Sequence, residues 1–276
     1  LYLSYSGGID STLMVVSFLK NASQEQKNNI TILLSEESIA ENPKFYNEHI
    51  VNNLKVLPSM NFPNIIGKKD ILFVTGEHND QLFGSDVIAS FMESFGNQTI
   101  NEPYDKSKLV DFFNSKVNNT EMNTFYVNLF EKVCLNAPIK IKTNFDFLWW
   151  VNFTLKWQTV YLRMLVFTSE KNIHLINKDY LRSNYTTFYG TEDFQLWSMN
   201  NMDKRIKDTW KTYKWLCKDI IYEFTKDQNY RDNKTKVGSL YKIIIGCPSF
   251  NFVDSSFNFK KEICIPNYYN KQNDFQ

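Results

Sequence analysis

The chain has 276 residues, a formal net charge of +1, and 43% hydrophobic and 16% aromatic residues. That length buries a sizeable core, as one large α/β domain or two smaller ones, and that composition excludes a disordered chain. Without a basic excess or like-charge runs there is no footprint for nucleic acid or a membrane surface, and no apolar run reaches the roughly eighteen residues a membrane span needs.

Cys134, Cys217, Cys247 and Cys264 are too far apart in sequence for a C-x-x-C pair. Free thiols in a reducing, cytoplasmic compartment are therefore expected. The N-x-[ST] sequons, Asn21 and Asn184 among them, are read as chance matches in an Asn-rich chain. Leu1 falls inside the first predicted strand, so the chain is expected to continue an upstream part.

In chain order, Leu1 to Tyr5 reads as a strand, and Leu13, Met14, Val15, Val16, Phe18 and Leu19 as a helix apolar on most sides. Between them, from Ser4 to Thr12, lies a phosphate loop. Gly7 and Gly8 allow a tight turn whose N–H groups, with those of the first helical turn, face an anion. Ser6, Ser11 and Thr12 add hydroxyls, and Asp10 adds a carboxylate suited to Mg²⁺. The loop is not a Walker A loop, because G-x-x-x-x-G-K-[ST] occurs nowhere in the chain.

Asn21 to Asn29 is a polar surface connection, and Ile30 to Leu34 a buried parallel strand. Ser35 to Ser38 follows at the carboxyl end of that strand, where Ser35 could contact adenine or ribose or cap a helix from about 43 to 53. Lys55 to Pro58 is a short edge strand. A second strand, turn and helix runs from Asp70 to Ser85, with Gly76, Glu77 and Asp80 in its turn. Asp10 and Asp80, at the ends of separate strands, could converge on one metal ion or serve as helix N-caps. His49, His78 and His174 show no metal spacing; structural roles are expected for His49 and His174, while His78, beside the second turn, could stabilise charge in a transition state or be structural.

Beyond Asn97 amphipathic helices are expected at about 106–117, 122–135 and 146–169, the last crowded with core aromatics such as Trp149, Trp150, Phe153 and Trp157. A short strand at 173–176 and helices at about 194–202 and 204–225 follow. The tail from Cys247 carries no readable motif.

Ser6-Gly7-Gly8-Ile9-Asp10-Ser11 resembles the SGGxDS signature of the PP-loop ATP pyrophosphatases, which cut ATP between the α and β phosphates. Thr75 to Ser85 is similar to the (S/T)GEGADELFGG stretch of asparagine synthetases. Gly76, Glu77, Asp80, Leu82, Phe83 and Gly84 match, whereas His78, Asn79, Gln81 and Ser85 depart. Lys234 to Ser239 resembles the R-x-K-x-G-F loop of that family, with Lys236 and Gly238 in place and Lys234 where Arg is usual. The E-x-R-x-P-F motif of the family is lost around 185–194, and Lys211, Lys214 and Trp215 match its K-x-x-L-R helix start only loosely.

The resemblance implies an α/β fold of the PP-loop (adenine nucleotide alpha hydrolase-like, HUP) type: a parallel sheet with helices on both faces over residues 1–96, then a mostly helical portion over 97–276. It implies ATP and Mg²⁺, with Ser4, Ser6, Gly7, Gly8, Asp10, Ser11, Thr12, Ser35 and Gly76 at the nucleotide and Asp10 and Asp80 on the metal. Glu77 would position or deprotonate a nucleophile, and Lys236 would counter phosphoryl charge. The implied activity is AMP- and pyrophosphate-forming adenylation of an aspartate-like carboxylate for attack by ammonia or an amine. A glutaminase domain or subunit is a possible ammonia source. The rival readings are a nucleobase ligase similar to 7-cyano-7-deazaguanine synthase, whose zinc cysteines are not matched here, and an ATP-binding sensor or scaffold without catalysis.

Overall fold

The computed structural model describes residues 1–166 and 173–235. They divide into two compact units that interleave along the chain: residues 1–77, 162–191 and 216 onward in one, 78–161 and 192–215 in the other.

The first unit is built on a parallel sheet. Its strands are β1 (Tyr2–Ser4), β2 (Thr31–Leu34), β3 (Lys55–Pro58), β4 (Phe73–Thr75) and β5 (Tyr185–Thr187), in the order β3-β2-β1-β4-β5. Leu3 of β1 pairs with Ile32 on one side and Val74 on the other, which sets the register of the three central strands. These strands are nearly continuous apolar runs because they are covered on both faces. Leu3, Ile32, Leu33, Phe73 and Val74 are all fully buried, together with Met14, Val15 and Val16 of the Ile9–Asn21 helix that crosses from β1 to β2.

Three expectations are corrected here. The apolar residues at 173–176 form not a strand but a 3₁₀ turn, Ile173–Leu175. The missing strand is β5, a little further on, where Tyr185, Thr186 and Thr187 pair with Phe73, Val74 and Thr75. The sheet thus takes a strand from well outside residues 1–96. Two side chains fix this return: Asn184 Nδ2 donates to Lys69 O and Ile71 O at 2.6 and 2.7 Å, and Tyr180 Oη accepts from Gly67 N at 2.8 Å. The third correction concerns 204–225, where only Trp215–Thr225 is α-helical. Lys214 stops any earlier helix with a left-handed φ of 56°, and Asp208 and Thr212 close a hydrogen-bonded turn before it.

The second unit is helical. Its helices are Asn79–Phe83, Val87–Phe95, Lys106–Asn114, Thr120–Cys134, the start of Asn144–Val166, and Glu192–Asn200. The long helix begins at a reciprocal cap: Asp146 accepts from Lys142 N and Thr143 N at 3.0 Å each, and Thr143 Oγ1 accepts from Asp146 N at 3.0 Å. Its aromatic stripe is core. Trp150, Phe153 and Trp157 stack in sequence with centroids 5.6 and 4.8 Å apart. The guanidinium of Arg205, fully buried, lies 3.7 Å from the Trp149 ring. No helix among the described residues is long and apolar enough to cross a membrane.

Candidate functional site

The strand order has one reversal. From β1 the chain builds outward to β2 and β3, then returns to place β4 and β5 on the other side of β1. In parallel sheets such a switch point is where ligands bind, beyond the carboxyl ends of the strands whose connections diverge. The segments leaving β1 and β4 here are Tyr5 to Gly8 and Gly76-Glu77.

Gly7 is required at its position twice over. Its φ of 78° is left-handed, and a Cβ there would sit 2.3 Å from Ser38 O and 2.5 Å from Glu41 Cβ. Gly8 is the N-cap of the Ile9–Asn21 helix and supplies no side-chain cap, so it leaves the first-turn amides uncovered from that side. Ser11 staples the turn. Its hydroxyl accepts from Ser6 N at 3.1 Å and donates to Gly8 O at 3.2 Å, so the 3.0 Å contact between the Ser6 and Ser11 hydroxyls uses the Ser6 proton. Thr12 Oγ1 lies 3.5 Å from Gly7 O. The two buried hydroxyls, Ser11 and Thr12, thus shape the loop from inside, while Ser6 is exposed.

Gly76 brings the second segment against the first. A Cβ on Gly76 would lie 3.0 Å from Ser11 N and 3.1 Å from the Asp10 carbonyl carbon. A side chain here would press on that backbone and push the first helical turn away by a few tenths of an ångström. Glu77, half-buried, follows directly, and Asp10 is half-buried on that turn. Ser4 ends β1 in register with Leu33 and Thr75. Ser35 is the N-cap of the Glu36–Glu41 helix, its hydroxyl accepting from Ser38 N at 3.4 Å and lying 3.2 Å from Ser38 Oγ. The helix it caps is this one and not the helix expected from about 43, which Asn42 caps instead.

Beneath the loop lies a buried polar cluster that the sequence did not announce. Glu41, on the helix that Gly7 touches, forms an ion pair with Lys234, and both side chains are below 5% exposed. Lys218, also buried, donates its ammonium to Lys234 O at 3.1 Å. Tyr189 donates its hydroxyl to Asp10 O at 2.9 Å. Burial holds the phenols of Tyr5, Tyr189 and Tyr230 above the usual tyrosine range, and the Glu41 carboxylate adds to this at Tyr5 and Tyr230. Of these residues only Lys234 carried any signal in the sequence, as a replacement within a short motif.

Asp80 belongs to the helical unit. There it receives a 2.7 Å hydrogen bond from the ammonium of Lys214, whose side chain is 1% exposed. His78 precedes it at φ 73°, with its ring stacked on Trp157 at 4.1 Å and Nε2 2.8 Å from Trp157 O. Those contacts suit the structural reading of His78. Lys236 and Gly238 lie outside the described residues, as do Cys247 and Cys264.

Among the described residues, no three His, Cys, Asp or Glu side chains gather as a metal cage. Mg²⁺ does not require one. It binds through one or two carboxylates when the phosphates of a nucleotide complete its shell, and Asp10, half-buried on an uncapped helix N-terminus, is a fitting donor.

In comparisons with known proteins, no family model, no curated protein and no solved structure matches this chain.

Proposed function

We propose that this chain is an ATP-dependent ligase similar to the synthetase part of asparagine synthetases, joining a nitrogen nucleophile to a carboxylate with release of AMP and pyrophosphate. One observation carries the reading. The Ser-Gly-Gly-Ile-Asp-Ser loop and the Gly76-Glu77 turn leave adjacent parallel strands at the reversal of strand order, and Gly76 lies against the backbone of Asp10 and Ser11. Two stretches that resemble one family's motifs, 65 or more residues apart in the chain, thereby meet at the end of the sheet where ligands bind.

The chemistry follows from what each residue offers. The amides of Gly7, Gly8 and the first helical turn hold the β and γ phosphates, the part that leaves as pyrophosphate. Mg²⁺, held by Asp10 and phosphate oxygens, would neutralise charge on the leaving pyrophosphate. An oxygen of the acceptor carboxylate attacks the α phosphorus, the bond from that phosphorus to the bridging oxygen breaks, and an acyl adenylate forms. Ammonia or an amine then adds to the acyl carbon and AMP departs, with Glu77 taking the proton that the nitrogen loses. Lys236 would counter the charge on the α phosphate by its resemblance to the family's lysine. The acceptor is a small carboxylate, with aspartate the first to test, and the nitrogen comes from free ammonia or from a glutaminase partner.

The test is release of pyrophosphate and AMP by purified protein given ATP, Mg²⁺, ammonia and a panel of carboxylates that includes aspartate, alongside Asp10→Asn. Acceptor-dependent release that Asp10→Asn abolishes is expected. ATP binding without release for any acceptor and any nitrogen donor would contradict the ligase.

A further inference from the structure

The buried pair beneath the loop has a geometry that stability alone does not require. Moving two charges out of water is costly, and apolar residues of similar size commonly stabilise a core as well as an ion pair does. What an ion pair adds is direction. Glu41 lies on the face of its helix that Gly7 packs against, since a Cβ on Gly7 would meet both Ser38 O and Glu41 Cβ. Lys234 is held from two sides, its ammonium by Glu41 and its carbonyl by Lys218. The segment that carries Lys234 is also fixed at its other end, where Asp227 caps the Gln228–Asn233 helix through Tyr230 N and meets Lys44 at 3.0 Å. Residues 41–44 and 227–234 therefore clamp each other at two points. One, Glu41 with Lys234, is buried under the loop; the other, Lys44 with Asp227, reaches solvent through its lysine, with Lys44 53% exposed and Asp227 15%.

We propose that Glu41 and Lys234 are positioning residues that hold the Gly7–Gly8 turn in its anion-binding conformation from beneath. The inference rests on reading that turn as the phosphate site, but its primary test does not. Glu41 acts through Gly7, and neither Glu41 nor Lys234 is assigned contact with the nucleotide. The Lys44–Asp227 pair serves as the internal control, because its lysine is screened by solvent and Asp227 keeps the bond from Tyr230 N when Lys44 is removed.

The experiment is hydrogen–deuterium exchange of the nucleotide-free full chain, following the peptide that covers residues 5–12 against peptides from β2 and β4. The variants are Glu41→Gln/Lys234→Met, which removes both charges at similar volume, Lys234→Arg, which keeps the charge, and Lys44→Ala. We expect exchange of the loop peptide to accelerate by about tenfold in the neutral pair, with the strand peptides unchanged, and to stay near wild type in Lys234→Arg and Lys44→Ala. Unchanged loop exchange in the neutral pair, or equal acceleration of loop and strands, would overturn the proposal by reducing the pair to general stability. Should the neutral pair fail to fold, Glu41→Asp, which keeps the charge and shortens the reach, decides: selective loosening of the loop supports the proposal, and none overturns it. Pyrophosphate release supplies the second readout, with kcat lowered about 100-fold in the neutral pair at little change in acceptor KM. A wild-type chain that neither binds ATP nor releases pyrophosphate would overturn the ligase reading, and loop exchange would still decide the role of the pair.

Discussion

Replacing Gly7 by alanine tests whether the turn after β1 is built as described. Two penalties act together. An L-residue at φ 78° costs about 1–2 kcal/mol in the left-handed region. The added Cβ must also displace Ser38 O, at 2.3 Å, and the stem of Glu41, at 2.5 Å; both are fixed, one as backbone and the other by its ion pair, and such overpacking costs about 1–3 kcal/mol. The sum is about 2–5 kcal/mol, a large part of the roughly 5–15 kcal/mol that separates folded from unfolded domains. Gly8→Ala is the matched control. Gly8 has an ordinary φ of −72°, and the nearest atom to an added Cβ is Ser6 Oγ at 3.5 Å, so its cost is an N-cap change of about 1 kcal/mol or less. Urea unfolding of both variants, read by far-UV circular dichroism, gives the comparison. A loss below about 0.5 kcal/mol for Gly7→Ala, or equal losses for the two, would refute the argument.

Other perturbations act on single contacts. Asp80→Asn weakens the partner of the buried Lys214 ammonium and is expected to destabilise by about 1.5–3 kcal/mol; the double change with Lys214→Met should recover part of that loss in a thermal double-mutant cycle. Tyr189→Phe removes the hydroxyl that donates to Asp10 O, for about 1 kcal/mol of stability, and if that bond positions Asp10 it also lowers pyrophosphate release without altering acceptor KM. Burial pushes the Tyr46 phenol up from 10.0 to about 12. The folded chain keeps this proton after the unfolded chain has lost it, so the contribution of Tyr46 is fully present below pH 10 and disappears as pH rises toward 12. Unfolding followed from pH 9 to 12 should show an alkaline loss that is smaller in Tyr46→Phe.

Much of the sheet was legible because central parallel strands leave a local mark. Ile30 to Leu34 and Ile71 to Val74 are short apolar runs ended by polar or glycine turns; β2 lies within the first, and β4 takes the end of the second with Thr75. The turn after β1 was legible as well, since two adjacent glycines between a strand and a helix mark a tight turn. β5 was not legible. Its three residues, Tyr185 to Thr187, are no more strand-like than Ile173 to Ile176, and what makes them a strand is pairing with Phe73 to Thr75, more than 100 residues earlier. The break at Lys214 was hidden because a left-handed lysine leaves no compositional trace.

At the candidate site, the visible residues were those whose type is unusual for their place, such as Gly7, Gly8 and Gly76. Glu41 was invisible because a glutamate on a short helix ordinarily faces solvent. Only the fold brings Lys234 to it across 193 positions of sequence and buries both. Ser11 and Thr12 were seen as hydroxyl donors for a ligand, and in the fold both also bond to the loop's own backbone. Their type could be read from the sequence, but their direction could not.

The most direct test of the central claim is ³¹P NMR of a reaction containing the full chain, ATP, Mg²⁺, ammonia and the best acceptor from the panel. The account predicts that ATP is cut between the α and β phosphates, so that AMP and pyrophosphate appear in equal amounts and only when the acceptor is present. Cleavage to ADP and inorganic phosphate, or cleavage indifferent to the acceptor, would contradict it.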